Sequence, residues 1–143
     1  MSQLKLTTTS FQAEREVIYG IRHAVFIVEQ SVPEEIEVDE VDTDAFHILA
    51  FLDGRPVGTG RITAAGRIGR MAVLKEFRNQ GVGAEMLARL VEIGHDHGVA
   101  TLCLSAQIQA IPFYEKFGFS ATGETYKEAG IEHRWMQKSL KLR

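Results

Sequence analysis

The sequence predicts a mixed α/β fold with a β-α-β unit at its centre, and three observations carry that reading. An apolar run from Ile68 to Leu74, broken by Gly69 and Arg70, is followed by the turn Arg78-Asn79-Gln80-Gly81-Val82-Gly83. Val82, Met86, Leu87, Leu90 and Val91 then recur at helical spacing, which makes the order strand, glycine turn, helix. A second apolar strand, Thr101 to Ala106, completes the unit. Alternating segments before and after it suit a mixed order better than an all-parallel sheet.

Taken in order, Leu4 to Thr8 alternates apolar with polar, as a first strand does. From Ala13 to Val28 the period becomes helical, with Val17, Ile18, Ile21, Val25 and Val28 on one face. Residues 34 to 44 hold seven carboxylates and read as an exposed loop with a short helix. Phe46 to Leu52 and Arg55 to Thr63 are strands joined by the Asp53-Gly54 turn, and a third strand follows Gly66. The main helix runs from about Gly81 to His97 and stops at Gly98. After the strand at 101 to 106 comes a short helix with Pro112 in its first turn, ended by Gly118. Phe119 to Tyr126 and His133 to Leu140 close the fold as an antiparallel pair.

Two glycines at the start of the main helix make a candidate anion site. The first N–H groups of a helix have no internal partner, and the dipole is positive there. Glycine lets a diphosphate approach the backbone closely. The run is not a P-loop, because no Gly-x-x-x-x-Gly-Lys-Ser/Thr occurs in the chain. Nor is it the dinucleotide fingerprint: Met86 stands where the third glycine belongs, and Ala100 to Cys103 supply no acidic ribose partner.

The spacing Arg-x-x-Gly-x-Gly resembles the acyl-CoA pyrophosphate loop of the GCN5-related N-acetyltransferases (GNAT). Residues 100 to 119, with Phe113-Tyr114-Glu115-Lys116 and then Gly118-Phe119, resemble that family's second motif. Arg22-His23-Ala24-Val25-Phe26-Ile27-Val28-Glu29-Gln30 is similar to a subgroup of small bacterial members. The resemblance implies the acyl-CoA N-acyltransferase fold: a mixed, mostly antiparallel sheet flanked by helices, with a central β-α-β unit that binds CoA. The chain as a whole, 1–143, then reads as one N-acetyltransferase domain.

The same resemblance assigns roles. Backbone amides of Asn79, Gln80, Gly81, Val82, Gly83 and Ala84 would hold the diphosphate of acetyl-CoA, with Arg78 adding charge. Met71 and Val73 would pair with the pantetheine arm as an added strand, admitted by a splay against the strand at 101 to 106. Gln107, where many members carry Asn, and Phe113 would also touch the cofactor; Gln keeps an amide donor and acceptor. Tyr114 falls at the position of the general acid that protonates the leaving thiolate, although a core aromatic beside Phe117 would look the same. The base is open among Glu29, Glu132 and His133, with His47 behind them, and a water chain could replace any of these. The product is an acetylated primary amine formed by direct transfer; sugar amines, polyamines, amino acids and protein N-termini all remain open as acceptors. The alternative is a catalytically silent sensor that binds acyl-CoA.

Composition narrows the partners. A net charge of −3 argues against general nucleic-acid binding. The sequence holds no apolar run of membrane length, and its polar start is unlike a signal peptide. Cys103, the lone cysteine, suits a reducing cytoplasm and reads as strand packing. His95 and His97 are two apart on a helix and face different ways, so no metal site is expected. The acidic run at 34 to 44 would draw a cationic acceptor or serve as a solvated face. Assembly as a homodimer is an expectation that the family resemblance carries.

Overall fold

The computed structural model describes residues 3–34, 39 and 41–141. Seven strands form one sheet: β1 (Leu4–Thr9), β2 (Phe46–Leu52), β3 (Arg55–Ile62), β4 (Arg67–Val73), β5 (Thr101–Gln107), β6 (Ser120–Glu128) and β7 (Ile131–Ser139). Their order across the sheet is β1-β2-β3-β4-β5-β7-β6. Every neighbouring pair is antiparallel except β4 and β5. The parallel pair is the one that a helix must cross over, and α3 (Val82–Asp96) does so. Short helices α2 (Val41–Asp44) and α4 (Ile111–Glu115) complete the set with α1 (Arg15–Arg22).

Helices α1 and α3 cover opposite faces of the sheet. Val82, Met86, Leu87, Leu90 and Ile93 of α3 pack with Ile48, Ile62, Ile68, Leu102, Leu104 and Met136. Phe11, Ile18, Ile21 and Val25 pack on Leu49 and Ala72 of the other face. Glycine sets the first distance: a Cβ at Gly58 would lie 2.6 Å from Met86 Sδ, so only a bare backbone lets α3 sit this low. On the second face, α1 covers the half of the sheet made by β3 and β4. Cross-strand partners share a face, so Ser105 with Trp135, Gln107 with His133 and Tyr126 with His133 stand together on the other half.

The long helix expected from Ala13 to Val28 changes character midway. Its α-helical part ends at Arg22, and His23–Glu29 continues as a π-helix, with Gln30 N–H bonded to the Val25 carbonyl. Each π turn takes one extra residue, so later side chains drift off the predicted stripe. Val28 accordingly points outward, 68% exposed, where the period had placed it inside. The β2–β3 hairpin turns as expected at Asp53 and Gly54, both at positive φ (51° and 83°), the geometry of a type I′ turn. β4 carries one extra residue against β3: Thr59 faces Ala72, but Arg61 faces Gly69. Arg70 absorbs the bulge at φ 51°.

Candidate active site

The parallel pair at the centre of the sheet is short. β4 meets β5 at Arg67↔Cys103 and Ile68↔Leu104, and the register goes no further. Beyond that point the strands part, and a cleft of about 1050 Å³ opens between them. Leu74 N–H donates to the Val57 carbonyl of β3 (2.9 Å). Alternation along an antiparallel pair then turns the N–H and carbonyl of Val73 away from β3, toward the gap. Met71 and Val73 line the cleft on this side; Gln107, Phe113 and Tyr114 line it from β5 and α4.

At one end the cleft reaches the start of α3. Asn79 (φ 62°) and Gly81 (φ 85°) bend the chain into the helix, and Gly81 caps it with no side-chain hydrogen bond. The first helical bond runs from Glu85 N–H to the Gly81 carbonyl, leaving the N–H groups of Val82, Gly83 and Ala84 ahead of it. Asn79, Gly81, Val82, Gly83 and Ala84 all line the cleft. Such a row of donors, unpaired among the described residues, at a positive helix end suits a diphosphate, the group the sequence led us to expect. Gln80 lies on a shallower depression with Leu4 and Leu6, and its amide leans back on the Glu76 carbonyl (3.4 Å).

Arg78 and Glu29 hold each other. Two guanidinium nitrogens donate to the Glu29 carboxylate at 2.6 and 2.7 Å, and Nε donates to the Val73 carbonyl at 2.9 Å. The hydrogen bonds from Arg78 keep the Glu29 carboxyl below the usual range, and the same pair raises Arg78. Glu29, expected among the bases, and Arg78, expected to add charge for the diphosphate, form an ion-paired strut, with Arg78 on the cleft wall. It joins the end of the π-helix to the loop before α3, and a carboxylate so committed is a poor base.

Tyr114 sits in the splay itself. Its hydroxyl lies 3.8 Å from Met71 Sδ, and its ring meets Phe113 and Phe119 edge-on. Burial pushes the phenol up to about 12, so its proton stays in place at neutral pH. Across the sheet, His133 is buried, with Nδ1 2.6 Å from the Ile131 carbonyl. A carbonyl only accepts, so Nδ1 carries the hydrogen and neutral His133 keeps a lone pair on Nε2. That atom is 3.9 Å from Glu128 Oε2. Glu128 also accepts from Ser105 Oγ (2.7 Å), which lies 2.5 Å from the Tyr126 hydroxyl. Since Ser105 has one proton and gives it to Glu128, Tyr126 must donate to Ser105.

Glu128, Ser105 and Gln30 belong to the cleft wall but were not foreseen. Ala129 and Gly130, both at positive φ, make a two-residue hairpin that carries β6 to Glu128 and starts β7 at Ile131. Glycine as the second residue of a two-residue loop was the available signal. Gln107 does not reach free into the cleft: its Nε2 donates to Gln30 Oε1 (2.9 Å), and its oxygen accepts from Gln109 (2.6 Å). Glu132, its neighbour's rival for the base, is exposed beside buried His133.

The acidic run is not simply an exposed surface. Asp42 is buried between Arg22 Nη1 and Arg61 Nη1, each at 2.7 Å, and Asp39 is paired with Arg61 and Arg70. Burial alone would raise the Asp42 carboxyl, but the two arginines lower it to about 2. These two carboxylates are neutralised within the fold and do not form an attracting field; Glu37, also expected to take part, lies outside the described residues. His47 gives its Nε2 hydrogen to the Asp42 carbonyl (2.8 Å) and leans on Phe11, away from the cleft. The Cys103 thiol is half-buried and raised by that burial. Among the described residues no group of His, Cys, Asp and Glu could hold a metal ion.

Comparison with known proteins gives this geometry a class. The sequence profile of the acetyltransferase (GNAT) domain matches residues 8–140. The uncharacterized N-acetyltransferase YjcF of Bacillus subtilis is 38% identical over 124 residues, which cover 84% of this chain and 89% of that protein. Protein ElaA of Escherichia coli is 32% identical over 128 residues, covering 84% of each. An acyl-CoA N-acyltransferase structure from Pseudomonas aeruginosa superposes with a TM-score of 0.85 at 28% identity, covering 96% of this chain and all of that one. The chain belongs to the GNAT family of acetyltransferases. It is therefore an enzyme of acyl transfer from CoA, in a family that acts on amine acceptors.

Proposed function

We propose that this enzyme moves an acetyl group from acetyl-CoA directly to a primary amine. One observation carries the reading: a single cleft is lined by the start of α3, by Tyr114 and by His133. Acetyl-CoA, when bound, supplies the activated thioester. Val82, Gly83 and Ala84 would hold its diphosphate through their N–H groups. Met71 and Val73 would offer backbone to the pantetheine arm in the manner of strand addition. The Val73 N–H is the natural donor to the oxyanion, a contribution on the order of 3 kcal/mol.

His133 is the base we favour over Glu29, because its Nε2 is free to accept while Glu29 is tied to Arg78. An alkyl ammonium is protonated at neutral pH, so that acceptance must precede attack. Tyr114, still protonated, donates to the departing sulfur. A covalent enzyme intermediate has no support, since burial disfavours the Cys103 thiolate.

The test is Tyr114→Phe, followed by thiol release and by acetylation of a panel of amines. We expect kcat to fall by about 10²–10⁴-fold while calorimetric affinity for acetyl-CoA holds. Full activity in the variant would remove Tyr114 from the mechanism. A wild-type chain that binds acetyl-CoA yet acetylates no amine would be a sensor instead.

A further inference from the structure

Four arginines line the cleft, and three have carboxylate partners: Arg61 and Arg70 with Asp39, and Arg78 with Glu29. The fourth, Arg67, has none among the described residues. Its guanidinium lies over the Trp135 ring, 5.3 Å from the centroid. Stacking holds a guanidinium by its face and leaves the N–H edge for a planar anion. Carboxylates divide in the same way. Asp39 is spent on two arginines, whereas among the described residues Glu128 has only the Ser105 hydroxyl and His133 Nε2 beside it.

The fold brings these two remaining charges together. Arg67 is level with Cys103 on β5; Ser105, which holds Glu128, is two residues further along. That step is about 7 Å along a strand, within the span of two extended side chains. Trp135, under Arg67, is the direct partner of Ser105 in the β5–β7 register. One open cation and one open anion therefore border the same end of the cleft, beside His133.

We propose that the acceptor is an amino acid, its ammonium taken by Glu128 and passed to His133 for deprotonation, its carboxylate taken by Arg67 over Trp135. This rests on the amine-acetylating reading above and names the acceptor for it. In the transfer, the ammonium gives one proton to His133 Nε2, and the free amine forms the new C–N bond at the thioester carbonyl. The C–S bond breaks, the sulfur takes the Tyr114 proton, and the second proton lost by nitrogen restores Tyr114 through solvent, so one proton in all is released, from His133. Polyamines and sugar amines lack the carboxylate, and a protein N-terminus carries its own far from the amine.

The experiment is a kinetic panel of L-amino acids, each beside its carboxamide and its decarboxylated amine, with thiol release and acetylated product both measured. We expect at least one amino acid to exceed its carboxamide and its amine tenfold or more in kcat/KM. Arg67→Gln should shrink that preference at least tenfold, and Arg67→Lys should restore part of it, with Tm recorded to show that each variant is folded. Amines acetylated with no preference for the carboxylate, or a preference that survives Arg67→Gln, would overturn this inference and leave the amine reading standing. Binding of acetyl-CoA with no amine acetylated would overturn both.

Discussion

Two clusters of polar side chains flank the cleft, and they treat charge in opposite ways. Around Asp42, the side chains of Arg22 and Asp42 are each 1% exposed, Arg61 is 10% exposed, and every charge has an opposite partner. Around Glu128, the carboxylate is 43% exposed, its nearest donor is a neutral hydroxyl, and Arg67 rests on an aromatic face. A saturated, dry cluster does its work within the fold, because its members have nothing left to offer a ligand. A half-solvated cluster with spare donors and acceptors gains little from folding, and what it withholds is available to a substrate. Their shared neighbourhood makes the difference instructive: the family motif residues around Arg22 and Glu29 build the frame, and the hairpin tip at Glu128 lines the cleft.

The contrast breaks most visibly at Asp42. Asp42→Asn removes the buried anion between Arg22 and Arg61, of which Arg61 alone keeps Asp39, a loss of about 3–5 kcal/mol. Chemical denaturation should show it, while acceptor KM in the folded fraction stays put. If stability held and KM rose, the acidic cluster would be the acceptor site and the two roles would be reversed.

Acid gives the next largest effect. The Asp42 carboxyl is depressed in the fold from 3.8 to about 2, so its contribution is complete above its unfolded value and is lost as pH falls through the folded one. The difference amounts to about 2 kcal/mol. His47, lowered chiefly by burial, acts in the same direction: below about pH 6.5 the unfolded chain takes its proton more readily than the folded one. Tm should therefore begin to fall below pH 6.5 and fall faster below 4. His47→Gln should abolish the first phase, and a Tm flat from pH 7 to 4 would show that His47 is not held neutral.

The smallest effect sharpens the other side. Tyr126→Phe removes the hydroxyl that donates to Ser105, an interaction of about 1 kcal/mol. Acceptor kcat/KM should drop by less than tenfold, with Tm lowered by no more than a few degrees. A lowered Tm with unchanged kinetics would make the open cluster a second piece of scaffolding.

Much of the fold was legible because strand alternation and turn chemistry are local. Asp53-Gly54, Gly98 and Gly118 mark the ends that the structure has, and β2 is predicted to the residue. What escaped is non-local. Nothing in the spacing of Arg22, Asp39, Asp42 and Arg61 says that a helix, a loop and a strand bring them together, so the acidic run read as solvated surface. Val28 escaped because a π turn breaks the very period used to find helices. At the site, the glycine loop was readable since its chemistry lies in consecutive backbone N–H groups. The pairing of Arg78 with Glu29 was not readable, because the two are 49 residues apart.

The seam between β4 and β5 has a mechanical consequence. Two residue pairs join the four strands β1 to β4 to the three strands β5 to β7, whereas the antiparallel pairs run along most of their length. The sheet is thus two plates on a narrow hinge, with α3 laid across as the main tie. Amide hydrogens of β5 and β7 should exchange as a unit distinct from those of β2 and β3. A ligand arm bonded to the open edge of β4 would act as a splint across the hinge, slowing exchange on both plates although it touches few of their amides.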